Sequence, residues 1–228
     1  MELSRRLQAV ANLISEHVTV ADIGCDHGYI PIYLLQTRKS PKVLALDVNE
    51  GPLKRAKEHI AVHGLSIDTR LSDGVKELSP GEVECVVIAG MGGALTIRIM
   101  EDGELVFRNL KEFILQPQSE IYKVRQYLCM KGYRIIEEDM VLEDGKFYPM
   151  MKVINGTAPK YNNLELSYGP LLLEQKHPVL KTFLEKEKQK RSKIKETIVK
   201  EAGEHNKTRI REIESELEEI EYALQRYY

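Results

Sequence analysis

The sequence has few cysteines and no cysteine pair suited to a metal or a disulfide. Its 228 residues include three cysteines, at positions 25, 85 and 129, and none of them form a C-x-x-C motif. Their odd number and scattered positions argue against a disulfide framework and against a zinc site. We therefore expect no metal cofactor and a reducing, cytoplasmic location.

Long apolar runs and an excess of charge are also lacking. No apolar stretch approaches the length of a transmembrane helix, and the N-terminus MELSRRL has no signal-peptide core. A soluble, unexported protein without a membrane partner is expected. Because the formal net charge is only -2, nucleic-acid binding would have to depend on a local basic patch. The length allows one or two domains.

Residues 20–35, VADIGCDHGYIPIYL, are the most informative segment. An apolar run ends in an acid and opens into a glycine turn, which a helical pattern follows. Gly24 and Gly28 permit positive φ angles and a close approach of the backbone. Acids are depleted in strands, so Asp22 indicates contact with a ligand or a loop amide. The segment is typical of a nucleotide-cofactor site, although an ordinary strand-to-helix turn can have the same residues.

The glycine spacing discriminates between cofactors. The dinucleotide fingerprint G-x-G-x-x-G, started at Gly24, also needs glycine at Asp26 and Tyr29, which disfavours a dehydrogenase. The pattern (D/E)-x-G-x-G-x-G of S-adenosylmethionine (SAM) enzymes matches at Asp22, Gly24 and Gly28 and departs at Asp26. SAM has no pyrophosphate for Asp26 to repel, and its positive groups would attract that carboxylate. The sequence therefore predicts SAM as the cofactor.

The hydrophobic pattern predicts five strands that alternate with helices, followed by an antiparallel hairpin. The hairpin strands, at 133–142 and 146–154, flank the turn sequence EDG at 143–145. A helix is expected over residues 2–17, and another begins after Ser119 as its N-cap. This order indicates an α/β fold with a doubly wound sheet, in which ligands bind beyond the carboxyl ends of the strands.

The predicted strand ends supply the candidate cofactor contacts. Asp47 follows Gly24 by 23 residues, where a second-strand carboxylate can accept both ribose hydroxyls. Asp73-Gly74 is expected beside the adenine amino group, although a plain turn explains it nearly as well. The segment GMGG at 90–93 leaves room for a methyl donor and a flat acceptor, or is simply a tight turn. The full set is Asp22, Gly24, Cys25, Asp26, Gly28, Asp47, Val48, Asp73, Gly74, Ala89, Gly90, Met91 and Gly92.

The composition changes near residue 160, and we predict a cofactor-binding domain over 1–158 and an antiparallel helical hairpin over 159–228. The first arm, 178–202, is rich in lysine, and the second is acidic with a heptad-spaced apolar seam. Residues 203–206 are the expected reversal. The basic side chains either hold a polyanion or pair with the acidic arm and face water. The candidate RNA-binding residues are Lys186, Lys188, Lys190, Arg191, Lys193 and Lys195.

Four segments together resemble one family. These are DIGCDHGY at 22–29, IAGMGG at 88–93, LQPQ at 115–118 and EDGKFY at 143–148. They are similar to the TrmK family of bacterial tRNA (adenine-N1)-methyltransferases over essentially the whole chain. The resemblance implies a Rossmann-like class I methyltransferase domain, SAM as cofactor, a C-terminal coiled-coil hairpin and methylation of adenosine 22 of tRNA. Many amino-group methyltransferases have (D/N)-P-P-(F/Y) where this chain has GMGG, which argues against N6 chemistry.

Adenine N1 carries a lone pair and no proton at neutral pH, so the implied reaction needs orientation of the base more than a general base. The candidates for this role are Asp26, His27, Tyr29, Gln116 and Gln118. His27 can instead stabilise its loop, and Tyr29 can pack on the sheet. Two other functions remain open: methylation of a small molecule, and a non-catalytic SAM-binding module whose hairpin docks a partner. A monomer is expected.

Overall fold

The computed structural model describes residues 1–200 and 207–228. The chain divides into two compact units, residues 1–160 and residues 161–228. Within the described residues no helix is long and apolar enough to cross a membrane.

The first unit is built on one seven-stranded sheet with the order β3-β2-β1-β4-β5-β7-β6. The first five strands are parallel, and β7 lies antiparallel between β5 and β6. This confirms the predicted α/β Rossmann-like sheet. The strands are β1 Val20–Ile23, β2 Val43–Asp47, β3 Asp68–Leu71, β4 Cys85–Met91, β5 Glu112–Pro117, β6 Tyr133–Glu143 and β7 Lys146–Asn155.

Six helices accompany this sheet: α1 Arg5–Leu13, α2 Tyr29–Gln36, α3 Glu50–Val62, α4 Gly93–Asp102, α5 Glu104–Arg108 and α6 Ile121–Met130. Helix α1 is shorter than the sequence predicts. Ser4 caps it by accepting a hydrogen bond from the Leu7 amide, and Ile14 already has extended backbone angles.

The predicted capping role of Ser119 is wrong. Glu120, at φ 52°, precedes α6, and no side chain caps that helix. Ser119 instead receives the amide of Gly93 on its carbonyl oxygen at 3.1 Å. Ser119, which the local sequence pattern assigns to the N-terminus of α6, therefore makes a long-range hydrogen bond to Gly93 instead.

The core explains where the site lies. Both β1 and β2 are buried along their whole length, and the apolar face of α1 packs against Val20, Leu34 and Val43. Burial of each such side chain contributes about 1.5–3 kcal/mol. The strand order reverses between β1 and β4, so the crevice at their carboxyl ends is left open for a ligand.

The second unit contains α7 Asn163–Tyr168, α8 Pro170–Glu174, α9 Pro178–Lys200 and α10 Lys207–Gln225. Ion pairs join Lys188 to Glu221 at 2.8 Å and Lys195 to Glu214 at 2.7 Å. The order of these pairs along the two helices shows that α9 and α10 run antiparallel. In the predicted seam Ile213 and Ile220 are buried. The helical hairpin is therefore present, and its predicted reversal at 203–206 lies outside the described residues.

Candidate active site

The turn after β1 is held in a left-handed conformation. Gly24 has φ +72° and Gly28 has φ +69°, where a side chain would be strained. A Cβ on Gly24 would also lie 2.4 Å from the Met91 Cε atom. Asp26, which stands where the SAM pattern has its middle glycine, has φ +45°. Aspartate is one of the few residues that tolerate this region, which explains how the turn keeps its shape.

Two acids lie beside this turn, Asp22 as the penultimate residue of β1 and Asp47 as the last residue of β2. Asp47 accepts hydrogen bonds from the amides of Asn49, at 2.9 Å, and Asp26, at 3.3 Å. Asp22 is 5% exposed, and no hydrogen bond to its carboxylate is formed within residues 1–200 and 207–228. Burial, and then the charge of Asp47, raise the pKa of Asp22 to about 7. A carboxylate this poorly solvated favours a positively charged ligand.

The thiol of Cys25 lies next to these acids. Burial is the largest cause of a raised pKa at Cys25, and the charges of Asp22 and Asp47 raise it further. The thiol therefore stays protonated at neutral pH and is a poor nucleophile. Covalent catalysis through Cys25 is disfavoured.

A cavity of about 310 Å³ opens at the ends of β1 and β4. It brings together residues from four separated parts of the first unit. Eight of the sequence-predicted site residues line it: Asp22, Gly24, Cys25, Asp26, Tyr29, Ala89, Gly90 and Gln118. Arg6, Leu7 and Ile30 complete the lining.

The end of β4 is shaped by contacts with β5. Gly90, at φ +83°, interrupts the pairing of the two strands, and its amide donates to the Gln116 Oε1 atom at 3.2 Å. A Cβ on Gly93 would lie 2.5 Å from the Ser119 carbonyl oxygen, so that glycine serves packing. Gln116 is fully buried behind the cavity wall, whereas Gln118 is exposed and lines the cavity.

Arg55 and His59 of α3 contact two residues that line the cavity, Asp26 and Tyr29. The Asp26 carboxylate pairs with Arg55 at 3.0 Å and lies 3.8 Å from the His27 Nε2 atom. The Tyr29 ring, in a residue that is 40% exposed, contacts the rings of His27 and His59 at centroid distances of 5.5 and 5.3 Å. Tyr29 thus lines the cavity instead of packing under the sheet.

The remaining predicted cofactor contacts lie outside the cavity lining. Val48 follows Asp47 and is 56% exposed, which leaves an apolar surface next to the second strand end. The Asp73 carboxylate binds Lys76 at 2.5 Å and Arg98 at 3.3 Å. The hydrogen bond from Lys76 lowers the pKa of Asp73. Gly28, Gly74 and Gly92 have only backbone atoms to offer a ligand.

Among the three cavity residues that the sequence patterns do not mark, Arg6 is the charged one. It lies in the first turn of α1, and its Nη1 atom donates to the Gln116 Oε1 atom at 2.9 Å. These two residues are 110 positions apart, and no local motif indicates such a contact. The only sequence signal is a polar residue at the start of an otherwise apolar helix face.

The basic residues of the second unit are partly neutralised within it. Lys188 and Lys195 pair with glutamates of α10, and Arg191 pairs with Glu187 and Glu216. Lys190 and Lys193 are exposed, and no ion pair to either is formed within the described ranges. Lys186 also has an interaction partner. The alternative of pairing across the hairpin therefore holds for three of the six candidates.

The residues of the first unit fit SAM as a ligand and give no sign of a metal. Gly24 and Gly90 hold backbone where side chains would fill the cavity, and Asp22 presents to positive groups a carboxylate that has no partner among the described residues. Across residues 1–200 and 207–228, no three His, Cys, Asp or Glu side chains are placed to hold a metal ion.

Comparison with known proteins also identifies this chain as a methyltransferase relative. A family model described as a methyltransferase domain matches residues 3–151. The tRNA (adenine(22)-N1)-methyltransferase of Bacillus subtilis is 34% identical over 226 residues, which cover 96% of this chain and 95% of the relative.

Two solved structures have the same fold over nearly the whole chain. The B. subtilis m1A22 tRNA methyltransferase TrmK superposes with a TM-score of 0.84 at 31% identity, over 98% of this chain and 99% of the other. Sp1610 of Streptococcus pneumoniae, in complex with S-adenosyl-L-methionine, gives 0.87 at 30% identity, over 98% and 100%. The chain therefore belongs to the TrmK family of tRNA (adenine(22)-N1)-methyltransferases within the methyltransferase-domain proteins.

Proposed function

We propose that this protein transfers the methyl group of SAM to N1 of the adenosine at position 22 of tRNA. The observation that carries the proposal is the cavity at the ends of β1 and β4, formed by the segments that resemble the family, in a chain that matches the B. subtilis enzyme almost end to end. The small-molecule alternative needs a lid over the acceptor, and the cavity lining includes no inserted lid segment.

We assign the adenosine part of the cofactor to the ends of β2 and β3, and its amino-acid part to the turn after β1. We assign the ribose hydroxyls to Asp47 and one face of the adenine to the exposed Val48. Because the Asp73 carboxylate is held by Lys76 and Arg98, we assign the contact at the third strand end to the backbone of residues 73–74. Asp22 and Asp26 attract the positively charged amino-acid end.

Bound SAM supplies an electrophilic methyl group on a sulfonium. The N1 lone pair of the substrate adenine forms the new N–C bond, the C–S bond breaks, and its electron pair stays on sulfur. No proton leaves adenine, so the protein needs no general base. The methylated adenine carries the positive charge, and a nearby carboxylate or amide oxygen stabilises it.

The cavity rim provides such groups without a strong base. Gln118 is exposed with an amide that can accept or donate, and we assign to it a contact with the adenine edge. We assign to Tyr29 a stacking contact with the adenine, and the His27 ring lies against the Tyr29 ring. Asp26 is paired with Arg55, which holds its carboxylate at the rim. Gln116 acts through Gly90 and Arg6, because it is buried.

The target adenine must leave its stacked position in tRNA, at a cost of a few kcal/mol. Phosphate contacts elsewhere can supply that free energy. We assign them first to Lys190 and Lys193, which are exposed and form no ion pair within the described part of the chain. Lys188, Arg191 and Lys195 must exchange a glutamate for a phosphate.

Incubation of the protein with labelled SAM and total tRNA, followed by nucleoside analysis, tests the reaction class. The proposal predicts label in 1-methyladenosine. Label in a small molecule of a cell extract but not in tRNA would support the small-molecule alternative. Cofactor binding with no transfer to any acceptor would support a non-catalytic module.

A further inference from the structure

Arg6, in the first turn of α1, contacts residues that are far away in the sequence, at the β6–β7 turn and in β7. The Arg6 amide donates to the Glu143 Oε1 atom at 3.3 Å, which ties the helix to the β6–β7 turn. The Arg6 guanidinium carbon lies 5.6 Å from the centre of the Tyr148 ring, within cation–π distance. These contacts hold the side chain in one place.

The guanidinium is directed at the end of β4. Its Nη1 atom donates to the Gln116 Oε1 atom, which also accepts from the Gly90 amide. A Cβ on Gly90 would lie 3.6 Å from the same Nη1 atom and 3.7 Å from the Gln118 Nε2 atom. Arg6 thus forms the wall of the cavity next to the strand end that must stay open for a ligand.

This cation lacks an acidic partner. Arg6 is half-buried, and the Glu143 carboxylate reaches only its backbone amide. Within residues 1–200 and 207–228 no carboxylate oxygen lies within 4.0 Å of its guanidinium nitrogens. A guanidinium has five N–H donors, and the hydrogen bond to Gln116 uses one of them. A partly desolvated charge with free donors, exposed to a cavity, is suited to an anion that presents two oxygens.

The charges around the cavity indicate which kind of anion Arg6 can bind. Asp22 and Asp26 line the same cavity as Arg6. A phosphate at this place would be repelled by both acids. The amino-acid end of SAM carries an ammonium and a carboxylate on one carbon, so it presents opposite charges to both kinds of lining residue. We propose that Arg6 binds the carboxylate of the cofactor and that α1 is thereby part of the cofactor site.

This inference rests on the proposed use of SAM, and it is tested by binding instead of turnover. Decarboxylated SAM keeps the sulfonium and the ammonium and lacks only the carboxylate. Calorimetry with both compounds is carried out on the full-length protein, on Arg6→Gln and on Arg6→Lys. Arg5→Gln is the matched control, since Arg5 is an exposed neighbour in the same helical turn.

Arg6→Gln is expected to weaken SAM binding by about 10- to 100-fold, as expected for loss of a hydrogen-bonded charge partner. Its affinity for decarboxylated SAM should stay within about twofold of the wild-type value, since the lost contact does not exist there. Arg6→Lys keeps the charge and should lose less. Arg5→Gln should bind both compounds as the wild type does.

An equal loss for both compounds would overturn the proposal, because it would mean that Arg6 only positions α1. Loss of tRNA affinity with normal SAM affinity would overturn it as well and would assign Arg6 to an RNA phosphate. Should Arg6→Gln fail to fold, Arg6→Lys makes the same comparison. A wild-type protein that binds neither compound would contradict the proposed function itself.

Discussion

Asp22 and Asp47 lie at the carboxyl ends of adjacent parallel strands, as the penultimate residue of β1 and the last residue of β2, and the negative charge of Asp47 adds to burial in raising the pKa of Asp22 to about 7. The two acids differ in their hydrogen bonds. Two backbone amides donate to the Asp47 carboxylate, whereas the Asp22 carboxylate receives no hydrogen bond within the described part of the chain. The Asp47 carboxylate is therefore a hydrogen-bond acceptor with a fixed orientation. The ionised form of Asp22 is destabilised in the folded protein, and a bound cationic ligand would stabilise it.

The fold should become more stable when Asp22 is made neutral. Its pKa is about 7 in the folded chain against 3.8 for an unperturbed side chain. Between these values the folded state holds a proton that the unfolded state has lost, so stability falls as the pH rises from about 4 to 7. We expect Asp22→Asn to raise the free energy of unfolding at pH 8 by ~2–4 kcal/mol.

Urea unfolding without cofactor at pH 8 and pH 5 checks this, since the gain must shrink at the lower pH. Asp22→Asn should also lose SAM affinity in calorimetry. A variant that is no more stable than the wild type at pH 8 would show that Asp22 is not a strained charge.

Asp47 is the last residue of β2 and Asp73 follows the last residue of β3 by two positions, but the two acids should differ in their effect on the cofactor. Asp47→Asn removes a buried negative charge and replaces one of its two acceptor oxygens by an NH₂ donor, and it should weaken SAM binding by about 10-fold or more. Asp73→Asn should change it by less than about threefold, because Lys76 and Arg98 already occupy that carboxylate. Calorimetry on both variants makes the comparison. A larger loss at Asp73 would reassign the adenine contact to its side chain.

Gly24→Ala should abolish SAM binding, because the added methyl group changes the shape of the turn after β1. The alanine Cβ would meet Met91 and would be strained at positive φ, at a cost of roughly 1–2 kcal/mol in stability. Gly64→Ala is the matched control, because Gly64 has φ +65° and open space around it. Thermal unfolding should show a similar loss for both variants, and calorimetry a binding defect for Gly24→Ala alone. Normal binding by Gly24→Ala would exclude the turn from the cofactor site.

The hairpin lysines should fall into two classes. Lys190→Gln with Lys193→Gln should weaken tRNA binding and reduce the slope of log affinity against log salt by about 1–2. Lys188→Gln with Lys195→Gln should do so less, because glutamates of α10 already neutralise these side chains. Filter binding at several salt concentrations measures both, with SAM affinity as the control. Identical slopes in all proteins would remove the lysines of α9 from tRNA binding.

Local sequence was sufficient for the parts of the site that depend on the backbone. The glycine turn and the strand-end acids could be predicted because their conformation and placement follow from a few adjacent residues. Arg6 could not, since Gln116 and Glu143 meet it only after the sheet has formed. The cap at Ser119 was wrong for the same reason, because Gly93 approaches that residue from another strand end. The hairpin charges were ambiguous until the antiparallel pairing of α9 and α10 was known.

The central claim is tested most directly by the position of the methyl group in a single tRNA transcript with adenosine at position 22. We predict 1-methyladenosine at that nucleotide, where it blocks Watson–Crick pairing and stops primer extension one nucleotide to its 3′ side. A transcript with guanosine at position 22 should remain unmethylated. Methylation at N6, methylation of another nucleotide, or no transfer by protein that binds SAM would contradict the account.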